Sequence, residues 1–334
     1  MHLLANRLIL SVLLALLLTA CAPDPARDNP FDPAVSSSAS ESYIEGWGFS
    51  YYEPRRPLRN ITVTLNPLGR FQVTGGDGRF RFDDVPAGEY LLVASRAGFV
   101  PDSLAVTLPE AGQISNQNLF LNSLPSVRRV ALFSNHIDEI FPGEFFQATV
   151  TVTVSDSDGV GDISALRLEI PEVSLLKNFS PTSRPDSFSV SILDIELPQA
   201  NLAPLVEIGC RVVLEDRAGA RQVEGPFFLK RIIEETPLPL SPAAFDTTGP
   251  LLQLSWQRLH LPFDFTYEVE VFRLFGGVAV PVFSRVDIAP EVLSLAYPDS
   301  LADGQYYWTA GVRDQLNNFS RSEEARFIVL DGSD

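Results

Sequence analysis

From Tyr43 onward the chain alternates apolar and polar residues with a period of two, between turn signals, and no stretch of ten or more residues carries a convincing helical period. In the run Phe146-Gln147-Ala148-Thr149-Val150-Thr151-Val152-Thr153-Val154, Phe, Ala and three Val share one face, and Gln and Thr the other. Successive strand residues point to opposite faces, so this pattern buries one side of a sheet. Val206, Ile208, Cys210, Val212 and Leu214 read as one face of a later strand, and Tyr267, Val269 and Val271 do the same in the last third. Half-buried strands of this kind pack as two-layer sandwiches. The predicted fold class is all-β, as three tandem β-sandwich domains.

Three domains suit 334 residues, because about 150 residues per domain is the usual scale and sandwiches are often smaller. The 42 acidic against 25 basic residues leave a net charge of −17, which repels phosphate backbones and speaks against a nucleic-acid partner. Two Cys and three His offer little material for a metalloenzyme.

The first residues read differently. Arg7 precedes the apolar run Leu8–Leu18, which is shorter than the roughly 20 residues needed to span a bilayer, so residues 1–20 read as a signal peptide. The sequence Leu18-Thr19-Ala20-Cys21 resembles the lipobox of bacterial lipoproteins. That resemblance implies diacylglycerol and an N-acyl chain on Cys21, hence a membrane-lipid partner through the acyl anchor. Ala22 rather than Asp after Cys21 is similar to the pattern of lipoproteins sorted to the outer membrane. Residues 21–42, with Pro23, Pro25, Pro30, Pro33 and a serine run, have no hydrophobic period and read as a flexible tether.

Residues 43–122 carry Asn60-Ile61-Thr62-Val63-Thr64-Leu65, Gly76-Asp77-Gly78-Arg79-Phe80-Arg81-Phe82, Val85-Pro86-Ala87-Gly88-Glu89-Tyr90 and Ala97-Gly98-Phe99. In order and spacing these resemble the carboxypeptidase regulatory-like domain, a transthyretin-like sandwich. Phe80, Phe82, Tyr90 and Leu92 keep one parity and are expected in its core. Residues 125–234, with the alternating valines and a strand ending in Glu215-Asp216-Arg217-Ala218-Gly219, resemble a bacterial immunoglobulin-like domain; Pro171–Asp186 reads as a long loop. Residues 237–331 resemble a fibronectin type III domain, on Leu254-Ser255-Trp256, Tyr267–Val271, Leu301–Trp308 and a closing segment with Asp314, Asn317, Asn318 and Ser320. Trp256 and one ring from Tyr306–Trp308 are expected in the core.

Few residues suggest chemistry. Asp156-Ser157-Asp158-Gly159-Val160-Gly161-Asp162 alternates acidic side chains around glycines, as oxygen-ligand sites for calcium do, with Asp156, Asp158 and Asp162 as candidate ligands. The same residues also suit a polar turn between strands. His136-Ile137-Asp138-Glu139 and the distant His260 invite comparison with zinc carboxypeptidases, but the flanking Gly and Arg of that motif are missing. Cys210 is the thiol left once Cys21 is lipidated, and its parity points inward.

No catalytic residue is therefore assigned, and the chain reads as non-enzymatic. The expectation is a lipid-anchored outer-membrane protein, periplasmic or surface-facing, that acts as a modular spacer and interaction surface for an envelope protein or polysaccharide. The alternatives are a carbohydrate-binding accessory lipoprotein using exposed aromatics, and a calcium-stabilised adhesion module.

Overall fold

The computed structural model describes residues 42–110 and 112–330. The segment read as a signal peptide, Cys21 and the stretch read as a tether, as far as residue 41, lie outside the described residues. The protein is nearly all β, as its alternation dictates, and it divides into two compact units.

The first unit takes residues 42–49, then 56–96 and 101–120. One sheet sets Arg79–Phe82, Tyr43–Ser50 and Ile114–Leu121 side by side, and the other runs Arg70–Val73, Thr62–Asn66, Gly88–Ser95, Asp102–Leu108. Ile44, Phe80 and Phe82 from the first sheet and Val63, Leu65, Tyr90 and Leu92 from the second are buried, as their parity requires. Two glycines allow this geometry. Gly78 holds a φ of +73° in the turn before Arg79–Phe82, where a side chain would be strained. Gly46 lies so close to the neighbouring strand that a Cβ there would sit 1.7 Å from the Gln117 carbonyl oxygen.

The second unit takes residues 50–55, 97–100 and 121 onward, and contains two cores. One lies between the four-stranded sheet Leu175–Asn178, Ile163–Ile170, Cys210–Asp216, Arg221–Phe227 and the strands Ser180–Pro181, Ser187–Leu193, Phe145–Ser155, Ser126–Ile137. Ala148, Val150, Val152 and Val154 fill it from one side and Leu168, Ile170, Val212 and Leu214 from the other. The second core packs around Trp256, Tyr267, Tyr306, Trp308 and Phe327, so both Tyr306 and Trp308 are interior.

These cores share a sheet. Phe319–Arg321 pairs in parallel with Ser126–Ile137, in the register Phe319 to Asn135, Ser320 to His136 and Arg321 to Ile137. A single ten-stranded sheet thus runs from one sandwich into the next, through Gly304–Asp314 and Phe265–Phe275 to an edge at Val278–Ile288. Residues 121–330 thus fall in one compact unit that holds both cores.

Two local expectations need correction. The strand read through Val206 and Ile208 begins only at Cys210, because Pro204–Glu207 forms a helical turn that leaves Val206 exposed. Pro opens that turn well, having no N–H that an earlier residue must accept. The segment Pro171–Asp186 is not simply a loop: it contributes the edge strands Leu175–Asn178 and Ser180–Pro181, short pieces interrupted by turns that hid their period.

Candidate functional site

The acidic turn joins Phe145–Ser155 to Ile163–Ile170. Asp156 Oδ1 accepts the Asp158 N–H at 2.8 Å and its carbonyl accepts the Gly159 N–H at 3.1 Å, while Gly159 reverses the chain at φ +110°. Val160–Asp162 then makes one tight helical turn that drives Asp162 inward. Asp156, Asp158 and Asp162 each offer a carboxylate oxygen, all within 4.8 Å of one another, so the structure brings together the three residues singled out in the sequence. At or inside that distance each pair of charged carboxylates repels by at least about 3 kcal/mol, taking an effective dielectric of about 20.

Other residues surround the turn that carried no signal of their own. The Ser123 N–H donates to Asp158 Oδ2 at 2.7 Å, and Ser123 Oγ accepts from the Ser157 N–H at 3.2 Å. The Asn122 amide donates to Asp216 Oδ2 at 2.6 Å, and Asp216 Oδ1 accepts the Ala220 N–H at 2.7 Å. Burial raises the Asp156 carboxyl above the usual range, against hydrogen bonds from Asp158 and Ser123, and the Asp158 and Asp162 charges add to the rise. Burial likewise raises Asp158, joined by the charges of Asp162 and Asp216. The Tyr52 hydroxyl is pushed up to about 12, by burial first and then by a hydrogen bond to Asp162.

His136, Glu139 and Cys210 are engaged in the packing of the second unit. His136 is buried, with Nε2 2.8 Å from Glu144 and Nδ1 3.0 Å from Ser320 Oγ, and its ring stacks on Phe146 at 4.1 Å. Glu139 pairs with Arg321 at 3.0 Å. Both ring nitrogens and the carboxylate of the zinc-like pair thus have partners within the second unit. Burial raises the Cys210 thiol to about 11, so the sulfur is a core atom and not a ready nucleophile. Trp256 and Trp308 are fully buried, and Trp47 is half-buried beneath Arg79, so the tryptophans do not form an exposed sugar-stacking platform.

The sheet junction also holds a polar network. Ser134 N–H donates to Asn318 Oδ1 at 2.9 Å, and Ser134 Oγ donates to the Arg231 carbonyl at 3.0 Å. Asn318 Nδ2 donates to Asp314 Oδ2 at 2.9 Å, and Arg231 Nη1 reaches the same oxygen at 2.8 Å. A cleft of about 550 Å³ is lined by residues including Asp138, Ile140, Leu238, Phe245, Glu323 and Arg326.

Residues 52–122 match the family model of the carboxypeptidase regulatory-like domain. No curated protein matches the chain. Among solved structures, the chain is similar to the FN1–FN3 domains of chicken CNTN1, at 11% identity over 82% of this chain and 92% of that one, with a TM-score of 0.31. It is also similar to the fibronectin(III)-like modules of Clostridium thermocellum CbhA (13% identity, 62% and 94% covered, TM-score 0.29). A third likeness is to a putative carbohydrate binding protein from Bacteroides uniformis (12% identity, 56% and 93% covered, TM-score 0.23). The described residues form an all-β protein, of which residues 52–122 match the carboxypeptidase regulatory-like domain.

Proposed function

We propose that the protein is a non-catalytic, lipid-anchored envelope protein, held in the outer membrane through Cys21, which acts as a spacer and presents an interaction surface. The observation that carries this reading is the ten-stranded sheet shared by two cores. Tandem domains joined only by a linker move relative to each other by default. Here the backbone pairing and the hydrogen-bond network of Ser134, Arg231, Asp314 and Asn318 favour one rigid body, which suits a spacer.

The edge strand Val278–Ile288 is the contact surface of this reading. Val278, Val280, Val282 and Val286 are exposed along it, with Phe275 at its approach. An exposed apolar edge of this length invites a partner. Two measurements test the proposal. Cys21→Ala should move the protein from the membrane fraction to the soluble one, and a photo-crosslinking residue at Val280 should capture a defined envelope protein in intact cells. Retention of the Cys21→Ala chain on membranes rejects the anchor, and the same adduct pattern from a control position at exposed Leu176 rejects the surface.

A further inference from the structure

The acidic turn presents an unusual deficit. Among the described residues, the buried side-chain oxygens without a hydrogen-bond partner are Asn122 Oδ1, Asp156 Oδ2 and Asp162 Oδ2. The other orphaned buried groups, on Arg167, Trp256 and Arg321, are N–H donors. Every unsatisfied acceptor therefore belongs to the acidic turn or to Asn122, whose neighbour Ser123 is hydrogen-bonded to that turn. Asp162 is only 7% exposed and Asn122 only 6%, so bulk water does not satisfy them. Natively folded proteins rarely leave such groups unpaired.

We propose that this turn binds one divalent cation of calcium type, held by carboxylates of Asp156, Asp158 and Asp162, with the Asn122 amide oxygen as a neutral ligand. A cation answers both defects at once, pairing the orphaned acceptors and cancelling the repulsion among three carboxylates. A water molecule cancels no charge, and a proton neutralises only one group. The size also fits. Calcium takes oxygens at about 2.3–2.6 Å, so ligands on opposite sides of one ion stand about 4.6–5.2 Å apart. The three carboxylate oxygens lie within 4.8 Å of one another, inside the span that the ligands of one such ion cover. Calcium also accepts six to eight oxygens of mixed charge, and backbone carbonyls or water complete that number. Binding ties residues 122 and 123 to the turn and stiffens the start of the second unit.

The test uses the purified full chain, freed of metal with EDTA and titrated with calcium chloride by calorimetry and thermal melting. One ion per chain is expected. With a dissociation constant of about 0.1–1 mM, usual for extracellular calcium modules, about 10 mM calcium should raise the melting midpoint by about 3–10 °C. Asp162→Asn should lower that rise below about 1 °C while leaving the metal-free protein folded, since it removes an unpaired buried charge at constant shape. Asp156→Asn, at a half-buried position, supplies the same comparison should Asp162→Asn not fold. Terbium, which occupies oxygen-rich calcium sites, should emit on tyrosine excitation, and Tyr52→Phe should dim that emission because the Tyr52 hydroxyl lies beside Asp162. Absence of stoichiometric calcium binding overturns the proposal. So does a calcium-induced rise that persists in both aspartate variants, or terbium emission unchanged by Tyr52→Phe.

Discussion

Asn318→Ala is the sharpest probe of the sheet junction. In the native protein Asn318 Oδ1 accepts from Ser134 N–H at 2.9 Å and from Ser134 Oγ at 3.2 Å, and Nδ2 donates to Asp314 Oδ2 at 2.9 Å. Ala removes all three while the Asn318 backbone N–H still reaches Asp314 Oδ1. Ser134 is fully buried, so its N–H is left without a partner or access to water, at a cost of about 1–3 kcal/mol. Loss of the bond to the Asp314 carboxylate adds about 1.5–3 kcal/mol, because hydrogen bonds to charged groups are the stronger kind. Ser134 Oγ keeps its bond to the Arg231 carbonyl and Asp314 keeps Arg231, so the sum is about 3–5 kcal/mol. For a unit of this size that lowers the melting midpoint by about 6–15 °C. Calorimetry gives a second readout. The wild-type second unit should melt in one transition, and Asn318→Ala should split it into two as its sandwiches uncouple. A melting curve displaced by less than about 1 °C, still with one transition, refutes the claim that this network joins the two cores.

Gly46→Ala should unfold the first unit, because the new Cβ meets the Gln117 carbonyl oxygen at 1.7 Å and the Phe80 ring at 2.8 Å, and a strand must move to admit it; near-wild-type amide exchange in residues 43–50 would contradict this. In the Cys21→Ala chain, Cys210 is the sole thiol and should react with a disulfide reagent at pH 8 only after unfolding. Burial raises its pKa from 9.0 to about 11 in the folded state, so its stabilising contribution is intact below pH 9 and is lost as pH rises toward about 11. Equal reaction rates for native and unfolded protein would place the thiol at the surface.

The parity of single strands was legible in the sequence because a strand needs only its own alternation to declare its buried face. Ala148 to Val154, Phe80 with Phe82, and Tyr267 to Val271 all turn inward as read. The helical turn at Pro204–Glu207 was not, since four residues carry no measurable helical period and Val206 and Ile208 happened to match the strand that follows. The sheet junction was hidden for another reason. His136 and Ser320 are 184 residues apart, and nothing in either local pattern states that Phe319–Arg321 will find Ser126–Ile137. His136 and Glu139 drew attention as chemistry, yet a buried imidazole needs partners for both nitrogens whatever its role, and here the partners are Ser320 and Glu144.

The acidic turn falls between these cases. Alternate aspartates around glycines can be read locally, and the structure brings their carboxylates together. What separates a cation site from an ordinary turn is the missing hydrogen bonds of Asn122, Asp156 and Asp162, and these depend on stretches of chain 34 positions apart. A polar turn on the surface settles its carboxylates with water and backbone N–H groups, and leaves no acceptor buried and unpaired. Tight packing of the Asn122–Ser123 stretch against the turn removes that option for two carboxylate oxygens and one amide oxygen, and the charge they share then calls for a cation in place of a solvent molecule.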